Sequence, residues 1–313
     1  MNLQQFRYVT EVARRGLNVS EAAAALHTSQ PGVSKQIRAL EEELGADIFV
    51  RQGRRFVALT DAGGELVRAL ERILSEVGNL KAIGAEHAGA GRGQLCVAVT
   101  HTQARYALPA VVTAFKKRYP EVKLKLLQGN PHQLAKMVID GEADLAIATE
   151  ALDGYADLVA LPGYQWHHCV VVPGGHELAG AAPLTLEAIA RFPLVTYDAT
   201  FAGRTAIDRA FAARGLAPEV ALSALDSDVI KSYVALGLGV GIISQRAFRE
   251  GKEDGLVAID SSHLFPAQVT RIAYRRGAYL RSYAVEFIGL FAPRFTASDL
   301  KALEAGGAVD FDI

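Results

Sequence analysis

Over the first sixty positions, apolar residues recur three and four apart, the period of helices with one buried face. Leu3, Phe6, Val9 and Val12 form one such stripe, and Gly16 is placed to end it. Asn18 can cap a second helix, with Glu21 three residues on as its reciprocal partner, and Val19, Ala22, Ala23 and Leu26 form the inner face. After the polar break His27-Thr28-Ser29, Pro31 suits the first turn of a third helix. Val33, Ile37, Leu40 and Leu44 line that helix, and Gly45 stops it. The pattern then switches to two short strand-like runs, Ile48 to Arg51 and Phe56 to Leu59, around Gly53, which predicts a hairpin.

Thr60 caps a long helix with Asp61 in its first turn. Along it Leu66, Leu70, Ile73, Val77 and Leu80 repeat at alternating four- and three-residue steps. That is a short coiled-coil seam, predicting pairing with a second chain, although one chain's core stripe has the same spacing. A Gly/Ala-rich stretch from His87 to Gly93 reads as a hinge. Beyond it, strand-like runs alternate with helical ones: Leu95 to Val99, a helix near Gln103 to Arg118, Val122 to Leu127, a helix near Gln133 to Asp140, and Leu145 to Ala148. Val170 to Val172, Leu194 to Tyr197, a helix near Thr205 to Arg214, Val220 to Leu222, a helix near Asp228 to Leu236 and Val240 to Ser244 continue the alternation. This predicts an α/β body with open, mostly parallel sheets, long enough for two lobes.

Half of the 313 residues are hydrophobic and 21% are charged, a balance that excludes disordered and fibrous classes. No apolar run approaches the length of a membrane span, and the polar start Met1-Asn2-Leu3-Gln4-Gln5 lacks an export signal, so a cytoplasmic protein is expected. Cys96 and Cys169 are too few for a disulfide framework or a four-thiolate zinc site and read as buried and inert. A net charge of −1 excludes a uniformly basic coat but not a local patch. Residues 1–60 carry eight Lys/Arg against six Asp/Glu, and five of those cations cluster on the third helix and the hairpin.

Those cations define the first candidate site. Two helices with a tight turn, followed by a basic hairpin, make a winged helix-turn-helix, in which the recognition helix buries one face and offers donors from the other. Ser34, Lys35 and Arg38 project away from the buried stripe, with Ser29 and Gln30 at the helix start, as candidate contacts to bases and phosphates of double-stranded DNA. Arg51, Arg54 and Arg55 suit phosphates or a minor groove from the wing.

The second candidate site begins where the strand ending at Val99 gives way to Thr100-His101-Thr102-Gln103. Free backbone N–H groups and the helix dipole converge there, and Thr and Gln add neutral donors, a combination suited to a small anion. Thr149, ending Leu145 to Ala148, would face the same crevice, though Thr100 and Thr102 also fit as simple helix caps. Tyr164-Gln165-Trp166-His167-His168 lies where the chain would pass between lobes and either closes over a ligand or packs the crossover. His167 and His168 point to opposite faces of a strand and are no metal pair. No nucleophile elbow, phosphate loop or zinc spacing occurs, and Gly237 to Gly241 precedes a strand rather than opening a helix, so no enzyme, cofactor or metal is expected.

The run Ala22-Ala23-Ala24-Ala25-Leu26-His27-Thr28-Ser29-Gln30-Pro31-Gly32-Val33-Ser34-Lys35-Gln36-Ile37, continued by Leu40-Glu41, Leu44-Gly45, Phe49-Val50-Arg51 and Leu59-Thr60-Asp61-Ala62-Gly63, resembles the helix-turn-helix signature of LysR-type transcriptional regulators. Further segments, Leu3 to Val9, Thr100 to Pro109, Ala146 to Leu152, Asp228 to Lys231 and Leu236 to Gly241, are similar to the CysB-type branch, which activates sulfate assimilation and cysteine synthesis. A sister type controlling sulfonate use fits nearly as well, and a regulator of another pathway with the same head remains an alternative. The resemblance implies a winged helix-turn-helix over 1–60, a linker helix over 61–90 that dimerises, and an effector domain over 91–313 like periplasmic binding proteins. Its first lobe would span about 91–163 and 267–313 and its second about 164–266. The resemblance also implies a homotetramer, contact with RNA polymerase, and sulfate, thiosulfate or an acetylserine-like inducer held by Thr100, Thr102, Gln103 and Thr149. Relatives commonly carry Thr-Gly-Arg where this chain has Ala202-Gly203-Arg204, so at Ala202 one side-chain donor is missing.

Overall fold

A computed structural model describes residues 1–53, 55–89, 91–149, 151–180, 183–249, 251 and 255–304, apart from the side chains of 202, 297, 301 and 304. Two compact units form, Met1–His87 and Ala88–Ile313.

In the first unit, α1 (Leu3–Arg14) is capped by Asn2, which exchanges bonds with Gln5, and buries Phe6, Val9 and Val12. Asn18 caps α2 (Val19–Ala25) by accepting from the Ser20 and Glu21 N–H groups. The Glu21 carboxylate accepts from the Asn18 side-chain amide at 2.7 Å, not from its backbone. Ser29 caps α3 (Gln30–Leu44), which ends at Gly45 with φ of 68°, the left-handed conformation that glycine tolerates. Val33, Ile37 and Leu40 pack against Phe6, Val9, Ile48 and Phe49 in one core.

The hairpin of β1 (Phe49–Gln52) and β2 (Arg55–Leu59) is antiparallel, with Phe49 stacked on Phe56 at 4.5 Å. Glu41 on α3 is 4% exposed and accepts from the N–H groups of Ile48 and Phe49 at 2.8 and 3.2 Å, as well as from Arg51. Thr60 joins hairpin to linker. Its N–H donates to the Ile48 carbonyl, its hydroxyl donates to the Asp47 carbonyl at 2.6 Å, and its Oγ1 accepts from Gly63 N–H at 2.8 Å. The linker helix, α4 (Asp61–Ala88), divides its apolar stripe: Val67 and Leu70 join the head's core, with Leu66 and Leu74 packed at its edge. Ile73, Leu80 and Ile83 stay exposed, Leu80 by 68%. Along this stripe the first residues join the head's core and the later ones form an exposed apolar edge.

The second unit holds two five-stranded sheets. The first is ordered β4 (Val122–Gln128), β3 (Gly93–Val99), β5 (Leu145–Ala148), β12 (Gln268–Arg275), β6 (Leu158–Trp166). The second is ordered β11 (Leu256–Asp260), β7 (His168–Pro173), β10 (Val240–Ser244), β8 (Leu194–Tyr197), β9 (Val220–Ala224). Each has two parallel and two antiparallel pairings, a more mixed arrangement than the alternation predicts. Three of the four antiparallel pairings involve β6, β11 or β12, strands the pattern does not reveal, whereas β7 and β10 are both legible and still pair antiparallel. β6 carries Pro162 and Gly163 in its interior, residues that normally argue against a strand. Here they make a bulge: the register against β12 slips between Thr270, opposite Tyr164, and Arg271, opposite Pro162. A Cβ on Gly163 would meet Phe291 at 2.5 Å.

Helices α5 (Leu108–Arg118) and α10 (Ser282–Phe291) cover one face of the first sheet, where Phe115 meets Phe287 edge-on at 5.3 Å, while α6 (Pro131–Ile139) covers the other. In the second lobe, α7 (Leu186–Ile189) and α8 (Ala202–Ala212) lie over one core and α9 (Ser227–Ala235) over its opposite. α11 (Ala297–Glu304) closes the described chain. The chain passes from β6 to β7 at His167 and returns through residues 261–267 into β12.

Candidate DNA-binding face and effector cleft

On α3, Gln30, Lys35 and Arg38 are exposed and Ser34 half-buried, opposite the Val33, Ile37, Leu40 stripe. The Ser29 hydroxyl oxygen accepts from Gly32 N–H at 3.3 Å, which leaves its proton to donate outward. Arg55 is exposed on the wing, and Arg54 lies outside the described residues. Arg51 departs from the expectation of a free phosphate contact. Its guanidinium pairs with buried Glu41, lies 3.6 Å from Asp47 and sits over the Phe56 ring at 5.2 Å. That pairing ties the wing to α3.

In the second unit, Thr100, Thr102, Gln103 and Thr149 come together at the ends of β3 and β5 and line one cavity, with Pro131, Trp166, Tyr197, Phe201, Gly203 and Ser244. Both lobes contribute to its walls. Its free volume is about 40 Å³, room for on the order of three waters. Gln103 occupies a π-helical turn, Gln103–Ala107, whose Leu108 N–H bonds back to the Gln103 carbonyl. Pro109 follows and cannot supply the next helical N–H, which fits a widened turn at that point.

The simple-cap alternative fails for Thr102, which makes no side-chain capping bond; its Oγ1 lies 3.4 Å from Ser227 Oγ. The Tyr164 hydroxyl donates to Gln103 Oε1, while Gln103 Nε2 donates to Thr270 Oγ1 at 3.3 Å. Trp166 Nε1 donates to the same Thr270 oxygen at 3.1 Å, and Thr149 Oγ1 lies 3.3 Å from it. Across the cavity Tyr197 OH accepts from Ser244 N–H at 2.9 Å and lies 2.7 Å from Ser227 Oγ. Burial pushes the Tyr197 phenol well above its ordinary range, so it stays neutral. Trp166 thus lines the cavity, and Tyr164 bonds to Gln103. Ala202 opens α8, whose N-cap residue Phe201 makes no side-chain capping bond; the Ala202 side chain lies outside the described residues. Arg204 donates to Asp208 and to the Tyr197 carbonyl and is not among the residues lining the cavity.

Thr270, Tyr197, Ser227 and Ser244 escaped the sequence reading, since single hydroxyls within strands or at helix starts leave no pattern. A second group beside the cleft was also missed. Asp228 of α9 accepts from Tyr106 OH and lies 2.9 Å from Arg105 Nε and 3.2 Å from Lys231 Nζ, which fastens one lobe to the other. Burial raises the Asp228 pKa, but bonds from Tyr106 and Lys231 and the nearby cations outweigh it and hold the carboxyl below its usual range. His101, Asp226 and Asp228 are close enough together for a metal, but Asp226 already caps α9 and Asp228 serves these partners.

His168 is 1% exposed, and neither ring nitrogen has a hydrogen-bond partner. Burial first, and the neighbouring His167 second, lower its pKa to about 4. The folded state thus keeps the ring neutral while the unfolded chain takes a proton near pH 6.5, so this stability is present above pH 6.5 and is lost as pH falls toward 4. At pH 5 the expected loss is about 2 kcal/mol. Thermal melts of wild type and His168→Leu between pH 7.5 and 4.5 check this: the variant's dependence should be flatter, and parallel curves would refute the assignment. Cys96 and Cys169 are buried free thiols; burial raises both, Cys169 to about 12, leaving them protonated.

The chain matches two family models, "Bacterial regulatory helix-turn-helix protein, lysR family" over residues 3–64 and "LysR substrate binding domain" over residues 88–296. It is 51% identical over 313 residues to the HTH-type transcriptional regulator CysB of Burkholderia cenocepacia, covering all of both chains. The chain belongs to the LysR family of transcriptional regulators. To SsuR of the same organism, another HTH-type regulator, this LysR-family chain is 50% identical over 303 residues, 97% of this chain and 98% of that one. Among solved structures, the cofactor-binding domain of the Cbl transcriptional regulator superposes with a TM-score of 0.66 at 45% identity, covering 68% of this chain and 93% of that one. A full-length OxyR variant from Pseudomonas aeruginosa, at 24% identity and a TM-score of 0.64, shares the fold over 93% of this chain and 97% of its own. The relatives are transcriptional regulators rather than enzymes and point to sulfur-related control. Among the described residues, no helix is long and apolar enough to cross a membrane.

Proposed function

We propose that this LysR-family regulator binds promoter DNA of sulfur-assimilation genes in the cytoplasm and answers to a small sulfur-linked effector held between its two lobes. The observation that carries the reading is the cavity itself: Thr100, Thr102, Gln103 and Thr149 from one lobe meet Tyr197, Gly203 and Ser244 from the other around an uncharged, hydrogen-bonding space. A volume of about 40 Å³ suits a small oxyanion such as sulfate or thiosulfate, and an acetylserine-type inducer would require the lobes to part. Ligand-dependent closure is the switch, and it supplies no more free energy than the ligand's differential affinity for the two states. The exposed edge Ile73, Leu80 and Ile83 of α4 supports a homodimer through the linker, and the family plan extends this to a tetramer that engages RNA polymerase.

Identity to CysB and to SsuR is nearly equal, so cysteine control and sulfonate control are separated by ligand. Calorimetric titration of the full chain with acetylserine, sulfate, thiosulfate, an alkanesulfonate and adenylyl sulfate decides. Acetylserine binding that Gln103→Ala abolishes places the chain in cysteine control. Binding of only a sulfonate or a sulfur ester moves it to the sulfonate branch. No binding of any of these removes the sulfur reading.

A further inference from the structure

The turn that carries Gln103 also reaches into the other lobe. Gln103–Ala107 lies between β3 and α5, elements of the first lobe, and π-helical turns recur at functional sites. Its Tyr106 nevertheless packs against the second lobe's core cluster of Cys169, Val171, Val195, Ile230 and Val234. Among the described residues of that cluster, Tyr106 alone comes from the first lobe. The Tyr106 hydroxyl donates to Asp228 Oδ1 at 2.5 Å and accepts from Lys231 Nζ at 2.9 Å. Lys231 is 6% exposed, and its ammonium also donates to the Ala247 carbonyl at 2.8 Å. An ammonium has three protons to place, so the Tyr106 oxygen helps to satisfy a charge that the second lobe buries. The ring adds to this: Lys231 Nζ and Arg249 Cζ each lie 5.3 Å from its centroid.

We infer that Tyr106 is a latch: it holds the lobes together whether or not the cleft is filled, and an effector too wide for the cleft must withdraw it. Parting the lobes takes from Asp228 its tyrosine donor and from Lys231 one acceptor. Hydrogen bonds to charged groups are each worth roughly tenfold to a hundredfold in an equilibrium constant, so the latch favours the joined state by at least that factor. Gln103 and Tyr106 share one turn, so a guest that displaces Gln103 bears directly on the latch. Width sets the sign of the coupling. A guest that fits about 40 Å³ leaves the latch engaged, while a wider one binds only the parted state and loses affinity by the whole factor. The latch is read from the contacts between the lobes alone. Its effect on effector choice rests on the effector-site reading above.

The test has two arms on the full-length chain. Lys136→Cys on α6 and Arg209→Cys on α8 put one exposed thiol on each lobe, while Cys96 and Cys169 are buried, so a pair of spin labels goes where it is wanted. Labelled chain is diluted with unlabelled chain so that distances within one chain dominate. Double electron–electron resonance without added ligand should give one main distance. Tyr106→Phe, which keeps the ring and removes only the hydroxyl, should raise the ratio of parted to joined lobes by about tenfold or more, and Tyr106→Ala should raise it further. In calorimetric titration, Tyr106→Phe should bind acetylserine about tenfold more tightly and sulfate no more tightly than wild type. A mere packing defect would weaken both ligands, so a change of the same sign for the two overturns the coupling to effector width. Identical distance distributions in all three chains overturn the latch. The first arm needs no ligand: if neither ligand binds, the effector-site reading falls and the distances still decide the latch.

Discussion

Replacing Lys35 and Arg38 together by alanine should weaken promoter binding by roughly two orders of magnitude or more without unfolding the head, since each good base or phosphate contact contributes about 1–3 kcal/mol. Both side chains are exposed on α3, whose attachment to the head rests on the opposite face through Val33, Ile37 and Leu40. The slope of log affinity against log salt should also fall, by roughly 0.9 for each phosphate contact removed. Arg55→Ala, on the exposed wing, should cost less affinity and lower the salt slope by about one such step. Arg51→Ala should behave differently, because its loss strands the buried Glu41 carboxylate with only two backbone N–H partners. Its signature is a drop in head stability of roughly 1–3 kcal/mol, with reduced DNA affinity only as a consequence. Fluorescence anisotropy at several salt concentrations, on a promoter fragment selected by the wild-type chain, reads the first effects, and thermal melts read the last. Unchanged affinity in the Lys35, Arg38 double variant would remove α3 from the DNA interface.

The contrast between Arg51 and Lys35 shows where sequence reading reached its limit. The stripes of α1, α2 and α3, the cap at Asn18, and the hairpin around Gly53 are local signals, carried by residues close together in the chain, and each formed as expected. Whether a cation on that hairpin is free depends on Glu41, ten residues earlier, and on whether that carboxylate is buried; spacing does not encode this. The same divide runs through the cleft. The cluster from Thr100 to Gln103 announces itself as polar residues closing an apolar strand. Thr270, which accepts from Gln103 and lies beside Thr149, is 167 residues from Gln103 on β12, a strand absent from the sequence reading, opposite a bulge at Gly163. The seam on α4 was half legible for a related reason: period alone does not say that Val67 and Leu70 are consumed by the head while Ile73 and Leu80 are not.

Gly63→Ala and Gly64→Ala, neighbouring changes of one methyl group on α4, should move head stability in opposite directions. A Cβ on Gly63 would lie 2.0 Å from the Ile48 carbonyl oxygen, 2.8 Å from its carbon and 2.9 Å from Thr60 Oγ1. The two Ile48 atoms are backbone, and the Ile48 carbonyl also accepts the Thr60 N–H that joins wing to linker, so relief requires moving the junction itself. Strain of that kind should cost the head about 3 kcal/mol or more. For a unit of this size that corresponds to a fall of at least about 12 °C in melting temperature. A Cβ on Gly64 meets only Arg68 Nη1, the end of a flexible side chain, at 3.7 Å. There alanine only gains helix propensity and loses unfolded-state entropy, so the head should gain about 0.5–1 kcal/mol. Urea unfolding of both variants, followed through the head's transition, separates the two effects. The Thr60-Asp61-Ala62-Gly63 run then has a physical meaning: Thr60 caps the linker helix, and Gly63 lets that helix press against the carbonyl that ends the recognition unit. Equal melting points for the two variants would show that this close approach does not bear on the fold, and the coupling of wing to linker would have to run through Thr60 alone.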